Sequence, residues 1–175
     1  MNEPPKRKPL RLGIHDYNAP GAYFITICTH NRKQILSRIV GDQIGEDPIR
    51  ESDRKPVSIL TKCGKIAEEI LNRLPQKTGI TVERFVIMPN HIHMILIVPE
   101  EAPPLTGRSL ISRAVGYFKM NTTKEIRRLY GNEIIWQRGY HDHIIRNAKD
   151  HEEILHYIDS NPAKWQFDCF FGKEL

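Results

Sequence analysis

Two strand-like runs separated by a single dipeptide constrain the fold of this chain more than any other feature. Residues 80–88 and 91–98 are rich in Ile, Val and Met, and only Pro89-Asn90 lies between them. Apolar runs of this length around a two-residue polar turn predict a β-hairpin. The β-branched and aromatic run 23–29 predicts an earlier strand, and short strands are expected at 39–40 and 57–60.

Helical patterns lie on both sides of this hairpin. A first helix is predicted to begin at the N-cap Thr61 and to end at Pro75, and a second to run from Ser109 to Tyr130 with Gly131 as its C-cap. Their apolar stripes are Ile66, Ile70, Leu71 and Leu74 in the first helix, and Leu110, Ile111, Ala114, Val115, Phe118, Ile126 and Leu129 in the second. A strand at 143–146 and a helix at 150–161, stopped by Pro162, complete the pattern.

This order is β-α-β-β-α-β followed by a helix, which predicts an α+β, ferredoxin-like (split βαβ) sandwich with an antiparallel sheet. The length of 175 residues favours one domain. We assign that domain to residues 23–165, with a loop insertion at 41–56. A basic arm at 1–22 precedes it, and a tail at 166–175 follows it.

The charge distribution favours a polyanionic partner. Of the net charge of +5, residues 105–149 supply nine Lys and Arg against three acidic residues. A basic segment of this kind favours nucleic acid ahead of a membrane, although an ordinary basic surface has the same composition. Candidate phosphate contacts are Lys6, Arg7, Lys8, Arg108, Arg113, Lys119, Lys124, Arg127 and Arg128. Tyr140 is a candidate for stacking on a base.

The composition also bears on the cellular compartment. The longest apolar stretches have the length of strands, so no membrane segment is expected, and no signal-peptide pattern follows the basic N-terminus. Three scattered cysteines, Cys28, Cys63 and Cys169, argue against a disulfide framework or a cysteine zinc ribbon. We therefore expect a cytoplasmic protein.

His91 and His93 are the first candidate site residues. They are two positions apart in a predicted strand, so both imidazoles are expected on one face of the sheet. Two adjacent histidines can form half of a divalent-cation site, or they can be ordinary histidines satisfied by hydrogen bonds. The apolar character of the strand favours the ligand pair.

Tyr157 and Asn161 are the second candidate pair. They are four positions apart on the last predicted helix and therefore share one face of it. The pair is consistent with a nucleophilic hydroxyl beside an amide ligand. It is equally consistent with a packed tyrosine and a helix-capping asparagine before Pro162.

These motifs in this order resemble the REP-associated tyrosine transposases, which belong to the IS200-like, single-tyrosine HUH group. The resemblance rests on the strand HIH, the phrase WQRGYHDHIIRN and the ending YIDSNPAKW. It implies that His91, His93 and Asn161 bind Mg²⁺ or Mn²⁺ and that Tyr157 is the catalytic tyrosine. The implied substrate is single-stranded DNA near a hairpin, cleaved through a 5′-phosphotyrosine intermediate.

Several alternatives stay open at this point. His143 is a candidate helper for deprotonating Tyr157, or a strand histidine bonded to a neighbour. The chain could be a catalytically silent nucleic-acid-binding module on the same fold. It could also be another HUH nuclease, a replication initiator or relaxase, although those usually carry further domains or a second tyrosine. Both a monomer and a homodimer are compatible with the sequence.

Overall fold

The computed structural model describes residues 19–41, 56–101 and 108–172. The strands are β1 (Gly21–Cys28), β2 (Ser37–Val40), β3 (Val57–Leu60), β4 (Thr81–Ile87), β5 (His91–Val98) and β6 (His141–Ile145). The helices are α1 (Lys62–Thr78), α2 (Leu110–Tyr130) and α3 (Ala148–Ser160), with 3-10 turns at His30–Arg32 and Pro162–Phe167. Most of the predicted arm, with Lys6, Arg7 and Lys8, and most of the 41–56 insertion lie outside the described residues.

Four of the strands form the main sheet in the order β4-β5-β1-β6, and every neighbouring pair is antiparallel. This is the strand order of the ferredoxin-like sandwich, so the predicted fold class is confirmed. The hairpin partners β4 and β5 lie side by side, and β1 inserts between β5 and β6. The two central strands are therefore β5 and β1. The short strands β2 and β3 form a separate antiparallel pair.

Alternation along the central strands divides the sheet into two faces. Ile25, Ile27, Ile92 and Met94 are buried in the main core together with the apolar stripes of α1 and α2. The intervening residues of β1 and β5 lie on the opposite face, where α3 packs. The predicted stripe of α2 is buried as expected as far as Ile126, whereas Leu129 is exposed.

Several predicted boundaries were wrong, including the starts of β1 and β2, and three of them have a clear local reason. Helix α1 continues through Pro75 to Thr78 and ends at Gly79, whose φ of 75° is in the left-handed region. A proline in the last turn removes only one hydrogen bond, so the glycine is the stronger stop. Strand β6 begins at His141, since it pairs with β1 from there. Helix α3 begins at Ala148, because the side chain of Asn147 caps it.

No helix in the described part of the chain is long and apolar enough to cross a membrane.

Candidate active site

His91 and His93 open the central strand β5 and lie on the face that α3 covers. Both side chains are buried, and their ring centroids are 4.5 Å apart. In the sheet register His91 pairs with Cys28 and His93 with Thr26. The predicted placement of both imidazoles on one face of a central strand is thus confirmed, because the period of two holds through the whole of β5.

Hydrogen bonds to one nitrogen of each ring orient both histidines. Nδ1 of His91 lies 2.9 Å from Oδ1 of Asn90, an acceptor, so that Nδ1 carries the proton. Nδ1 of His93 lies 2.8 Å from the hydroxyl of Thr26. The Nε2 atoms of both rings are thereby directed toward the space between sheet and α3, where that of His93 meets the hydroxyl of Tyr157. It is the arrangement that holds metal-ligating histidines in one tautomer.

Burial keeps both imidazoles neutral at physiological pH. Desolvation lowers the pKa of His93 to about 3. The pKa of His91 is also lowered, first by burial and further by the nearby His93 and Arg32. Nε2 of His91 has no hydrogen-bond partner among the residues that the structure describes. A neutral, buried and unpartnered imidazole nitrogen fits a cation ligand.

Asp168 completes a group that the sequence did not reveal. One carboxylate oxygen of Asp168 lies 3.9 Å from Nε2 of His91. The ligand atoms of His91, His93 and Asp168 all lie within 4.8 Å of one another. Oδ1 of Asn161 is also buried without a partner in the described part of the chain. The two imidazoles and the carboxylate of this group fit a divalent cation such as Mn²⁺.

Tyr157 lies directly against this group. Its hydroxyl is 3.2 Å from Nε2 of His93, and the two rings meet at 63° with centroids 5.1 Å apart. Phe24 contacts both rings from β1. Burial, and secondarily the charge of Asp168, raises the pKa of Tyr157, whereas the Asn161 amide acts in the opposite direction. The phenol is therefore protonated at neutral pH.

Polar contacts at both ends of α3 fix the position of this tyrosine. Nε2 of His151 lies 2.8 Å from Glu83 of β4, and Arg84 lies 3.7 Å from Asp159. Asn147 accepts a hydrogen bond from the backbone N–H of Asp150 at the start of the helix. Helix α3 is thereby docked on the β4 edge of the sheet, with Tyr157 over β5.

Two other sequence candidates have different contacts. Nε2 of His143 lies 3.0 and 3.1 Å from the carboxylate oxygens of Asp150, which gives it a role in holding the start of α3. The hydroxyl of Tyr140 lies 3.2 Å from that of Ser112, and its ring is partly buried against the core. Neither side chain is in contact with Tyr157 in the described part of the structure, and a stacking role for Tyr140 stays a prediction.

The basic candidates on α2 and just before it lie in two environments. Lys119, Lys124 and Arg127 line a cleft of about 660 Å³ between α2 and residues 134–139. Burial lowers the pKa of Lys119 to about 8, and its ammonium donates to the carbonyls of Gln137 and Gly139. The remaining three, Arg108, Arg113 and Arg128, are exposed outside this cleft, and Arg128 forms an ion pair with Glu125.

Asp168, Thr26 and Asn90 are the site residues that sequence reasoning missed. The alternation of Phe24, Thr26 and Cys28 in β1 places Thr26 on the face of the histidines, so that residue could have been found from the sequence. Asn90 directly precedes His91 in the turn. Asp168 follows a short 3-10 helix, where no periodic pattern indicates which way a side chain points.

A ferredoxin-like sheet with a His-x-His pair on a central strand, facing a tyrosine of the last helix, defines the HUH tyrosine class. The family described as "Transposase IS200 like" matches residues 21–161, which is most of the chain. The chain belongs to this family and is a DNA transposase.

Individual relatives agree with this assignment. An uncharacterised protein of Haemophilus influenzae is 30% identical over 94% of this chain and 93% of its own length. The REP-associated tyrosine transposase of Escherichia coli is 24% identical over 64% of this chain and 67% of its own. A solved REP-associated tyrosine transposase bound to a REP hairpin superposes with a TM-score of 0.58 at 20% identity. That match covers 96% of this chain and 76% of the other. The predicted resemblance is confirmed.

We expect the free energy of unfolding to fall as the pH is lowered from about 6.5 toward 3. The pKa of His93 is about 3 in the folded protein and 6.5 for an unperturbed histidine, so the unfolded state binds the proton first. Stability therefore rises with pH across this window, by about 1.4 kcal/mol per pH unit for each such histidine. Urea unfolding between pH 7 and pH 4 measures the slope. His93→Gln should flatten it, and an equal slope in both proteins would contradict the expectation.

Proposed function

We propose that this transposase cleaves and rejoins single-stranded DNA next to hairpins, through a covalent 5′-phosphotyrosine at Tyr157, with a divalent cation. The observation that carries the proposal is the contact of 3.2 Å between the Tyr157 hydroxyl and His93. His93 belongs to the buried group with His91 and Asp168. A nucleophilic hydroxyl beside a group of cation ligands suits attack on a phosphodiester, because one phosphate can reach both.

The proposed 5′-phosphotyrosine sets the bond changes of the first step. The Tyr157 oxygen attacks phosphorus, and the bond from phosphorus to the 3′ oxygen of the preceding nucleotide breaks. Tyr157 is then esterified to the 5′ phosphate, and the 3′ oxygen leaves as a hydroxyl. The proton that Tyr157 loses balances the one that the 3′ oxygen gains. Attack of a 3′ hydroxyl on the phosphotyrosine reverses these changes and rejoins the DNA.

Four side chains would hold the cation. They are His91 and His93 through Nε2, Asp168 through its carboxylate, and Asn161 through Oδ1. When bound, Mg²⁺ or Mn²⁺ acts as a Lewis acid that stabilises negative charge on the phosphate and on the phenolate. Imidazole nitrogen suits Mn²⁺ better than Mg²⁺, which favours manganese on chemical grounds.

His93 also connects the cation to the state of the nucleophile. Its Nε2 has a single lone pair, so it holds either the Tyr157 hydroxyl or a cation. Because burial and Asp168 raise the pKa of Tyr157, the phenol does not ionise unaided at neutral pH. If His93 held a cation, the resting hydroxyl of Tyr157 would lose this acceptor, and the positive charge would favour the ionised oxygen.

Asp168→Asn is expected to weaken Mn²⁺ binding by about ten- to a hundredfold, because a neutral amide replaces a charged ligand of nearly the same shape. Isothermal titration calorimetry with Mn²⁺ measures the change. Asp159→Asn is the matched control, since Asp159 is exposed and paired with Arg84. Equal affinities for Mn²⁺ in the wild type and Asp168→Asn would remove Asp168 from the ligand set.

The DNA partner is supported by the fold relative and by charge. The solved relative is bound to a REP hairpin, and this chain shares its fold. The α2 cleft presents Lys124 and Arg127 beside the exposed apolar side chains of Met120 and Ile134. Basic groups next to apolar surface suit a nucleic acid strand with unstacked bases.

Arg127→Gln is expected to weaken binding of single-stranded DNA and to reduce the slope of log K against log salt by about 0.7, the value for one lost phosphate contact. Fluorescence anisotropy at several salt concentrations measures this slope. Arg128→Gln is the matched control on the next residue, because Arg128 is already paired with Glu125 and lies outside the cleft. Equal slopes for the two variants would place the DNA on another surface.

Covalent capture tests the function as a whole. The purified protein is incubated with a labelled hairpin-bearing single strand and Mn²⁺, and the products are separated in SDS. We expect a labelled band at the mass of protein plus DNA, which disappears when a chelator is present. DNA binding without any adduct, in either Mn²⁺ or Mg²⁺, would instead support a silent binding module.

A further inference from the structure

Arg32 lies in a strained turn that directly follows β1. Asn31 and Arg32 have φ values of 51° and 55°. The left-handed region is unfavourable for non-glycine residues, more so for Arg32 than for Asn31, so the surroundings must hold this turn. The Thr29 hydroxyl lies 2.8 Å from the carbonyl oxygen of Lys33 and 3.0 Å from that of Asn90, on the two sides of the turn. The fold therefore maintains an unfavourable backbone in order to place these residues.

The guanidinium of Arg32 forms no ion pair with the residues that the structure describes. Its Nε and Nη1 atoms are inaccessible to solvent and have no hydrogen-bond partner within the described ranges. Its Cζ lies 4.3 Å from the centroid of the Phe170 ring, an attractive contact that supplies no hydrogen-bond acceptor for these N–H groups. Removing guanidinium donors from water without replacing their hydrogen bonds costs free energy. An anion at this position would recover that cost.

This positive charge borders the candidate cation ligands. The ring of Phe170 that Arg32 covers lies 4.5 Å, centroid to centroid, from the ring of His91. Arg32 contributes to the lowered pKa of His91, after burial and His93, which agrees with a short separation. Arg32 and His91 thus face the Phe170 ring from two neighbouring positions. A phosphate that reaches both takes the place of this ring.

We propose that Arg32 binds a non-bridging oxygen of the DNA phosphate that Tyr157 attacks. The inference rests on the proposed function and adds a catalytic residue to it. Negative charge on these oxygens has to be stabilised as phosphorus becomes five-coordinate, and a guanidinium with free donors in a water-poor site supplies both positive charge and hydrogen bonds for it. The cation ligands and Arg32 then act on one phosphate from two directions.

Inorganic phosphate provides a first test that needs no DNA cleavage. Melting temperatures are compared in sodium phosphate and in sodium chloride of equal ionic strength, without divalent cations. We expect phosphate to stabilise the wild type and Lys33→Gln more than Arg32→Gln, which keeps only the general stabilisation that phosphate gives to folded proteins. Lys33 is the matched control, because it is the next residue, is exposed and carries the same charge. Equal stabilisation of the wild type and Arg32→Gln would overturn the proposal.

Adduct formation provides the second test. Arg32→Gln is expected to slow the adduct by about a hundredfold or more, the usual effect of losing one oxyanion donor. The rate of adduct formation in Arg32→Lys should lie between those of the wild type and Arg32→Gln, since lysine keeps the charge but loses the planar donors. The affinity for DNA is measured on the same oligonucleotide, and it should change far less than the rate. An unchanged rate in Arg32→Gln would overturn the proposal.

A third variant separates phosphate binding from a purely structural role. Phe170→Leu removes the ring that Arg32 covers and leaves the guanidinium in place. We expect it to keep the stabilisation by phosphate. If phosphate stabilises it no more than Arg32→Gln, Arg32 acts by holding the C-terminal segment, and the proposal is wrong. If the wild type forms no adduct but shows phosphate stabilisation that depends on Arg32, the anion site stands and the proposed function fails.

Discussion

Replacing Tyr157 by Phe is expected to abolish the covalent protein–DNA adduct completely while fold and DNA affinity are kept. The change removes one oxygen atom, and with it the only proposed nucleophile. The ring remains to pack against Phe24 and His93. SDS gels with labelled hairpin DNA measure the adduct, anisotropy measures the affinity, and the melting temperature reports on the fold.

Two other tyrosines serve as controls for this variant. Tyr130→Phe removes a hydroxyl from an exposed residue of α2, and Tyr140→Phe removes the hydroxyl that lies near Ser112. Both variants should form the adduct as the wild type does. An adduct that persists in Tyr157→Phe but is lost in Tyr140→Phe would move the nucleophile to Tyr140.

His93→Ala is expected to eliminate both tight Mn²⁺ binding and adduct formation. It removes a cation ligand and also the acceptor of the Tyr157 hydroxyl, so two contributions are lost at once. We expect the rate to fall by at least about a thousandfold, since Lewis-acid stabilisation alone is worth several kcal/mol. Calorimetry with Mn²⁺ and the SDS gel measure the two losses separately.

Two further variants are compared with His93→Ala, one on β6 and one directly after α3. His141→Ala removes an exposed histidine from the neighbouring part of the sheet and should leave both quantities unchanged. Asn161→Ala should be milder than His93→Ala, because water can replace a single neutral ligand. A His93→Ala variant that binds Mn²⁺ as the wild type does would exclude His93 from the cation site.

The sheet and the central pair of the site were predictable because they depend on local periodicity. A period of two places His91 and His93 on one face of a strand, and the spacing of four places Tyr157 and Asn161 on one face of a helix. The order of the elements then brings these two faces together, since the ferredoxin-like topology leaves only a few ways to arrange them.

The remainder of the site depends on contacts that no local pattern encodes. Asp168 follows a 3-10 helix, and its position beside His91 is set by the packing of the C-terminal segment. Arg32 lies in a polar turn whose backbone conformation depends on the distant Asn90. Pro75 caused a different kind of error, because a local signal predicted a helix end that the structure does not have. The general rule against proline in helices is weakest in the last turn, where α1 contains this residue.

The short connection between β6 and α3 holds the start of α3 close to the sheet of its own chain. Strand β6 ends at Ile145 and α3 begins at Ala148, so only Arg146 and Asn147 join them. Two residues and their flanking bonds span about 10 Å when extended. Strand β6 is paired with β1 at one side of the sheet, so the first turn of α3 stays within this distance of it. In this structure Tyr157 therefore comes from the same chain as the histidines that it contacts, and the proposed nucleophile and the proposed cation ligands lie in cis.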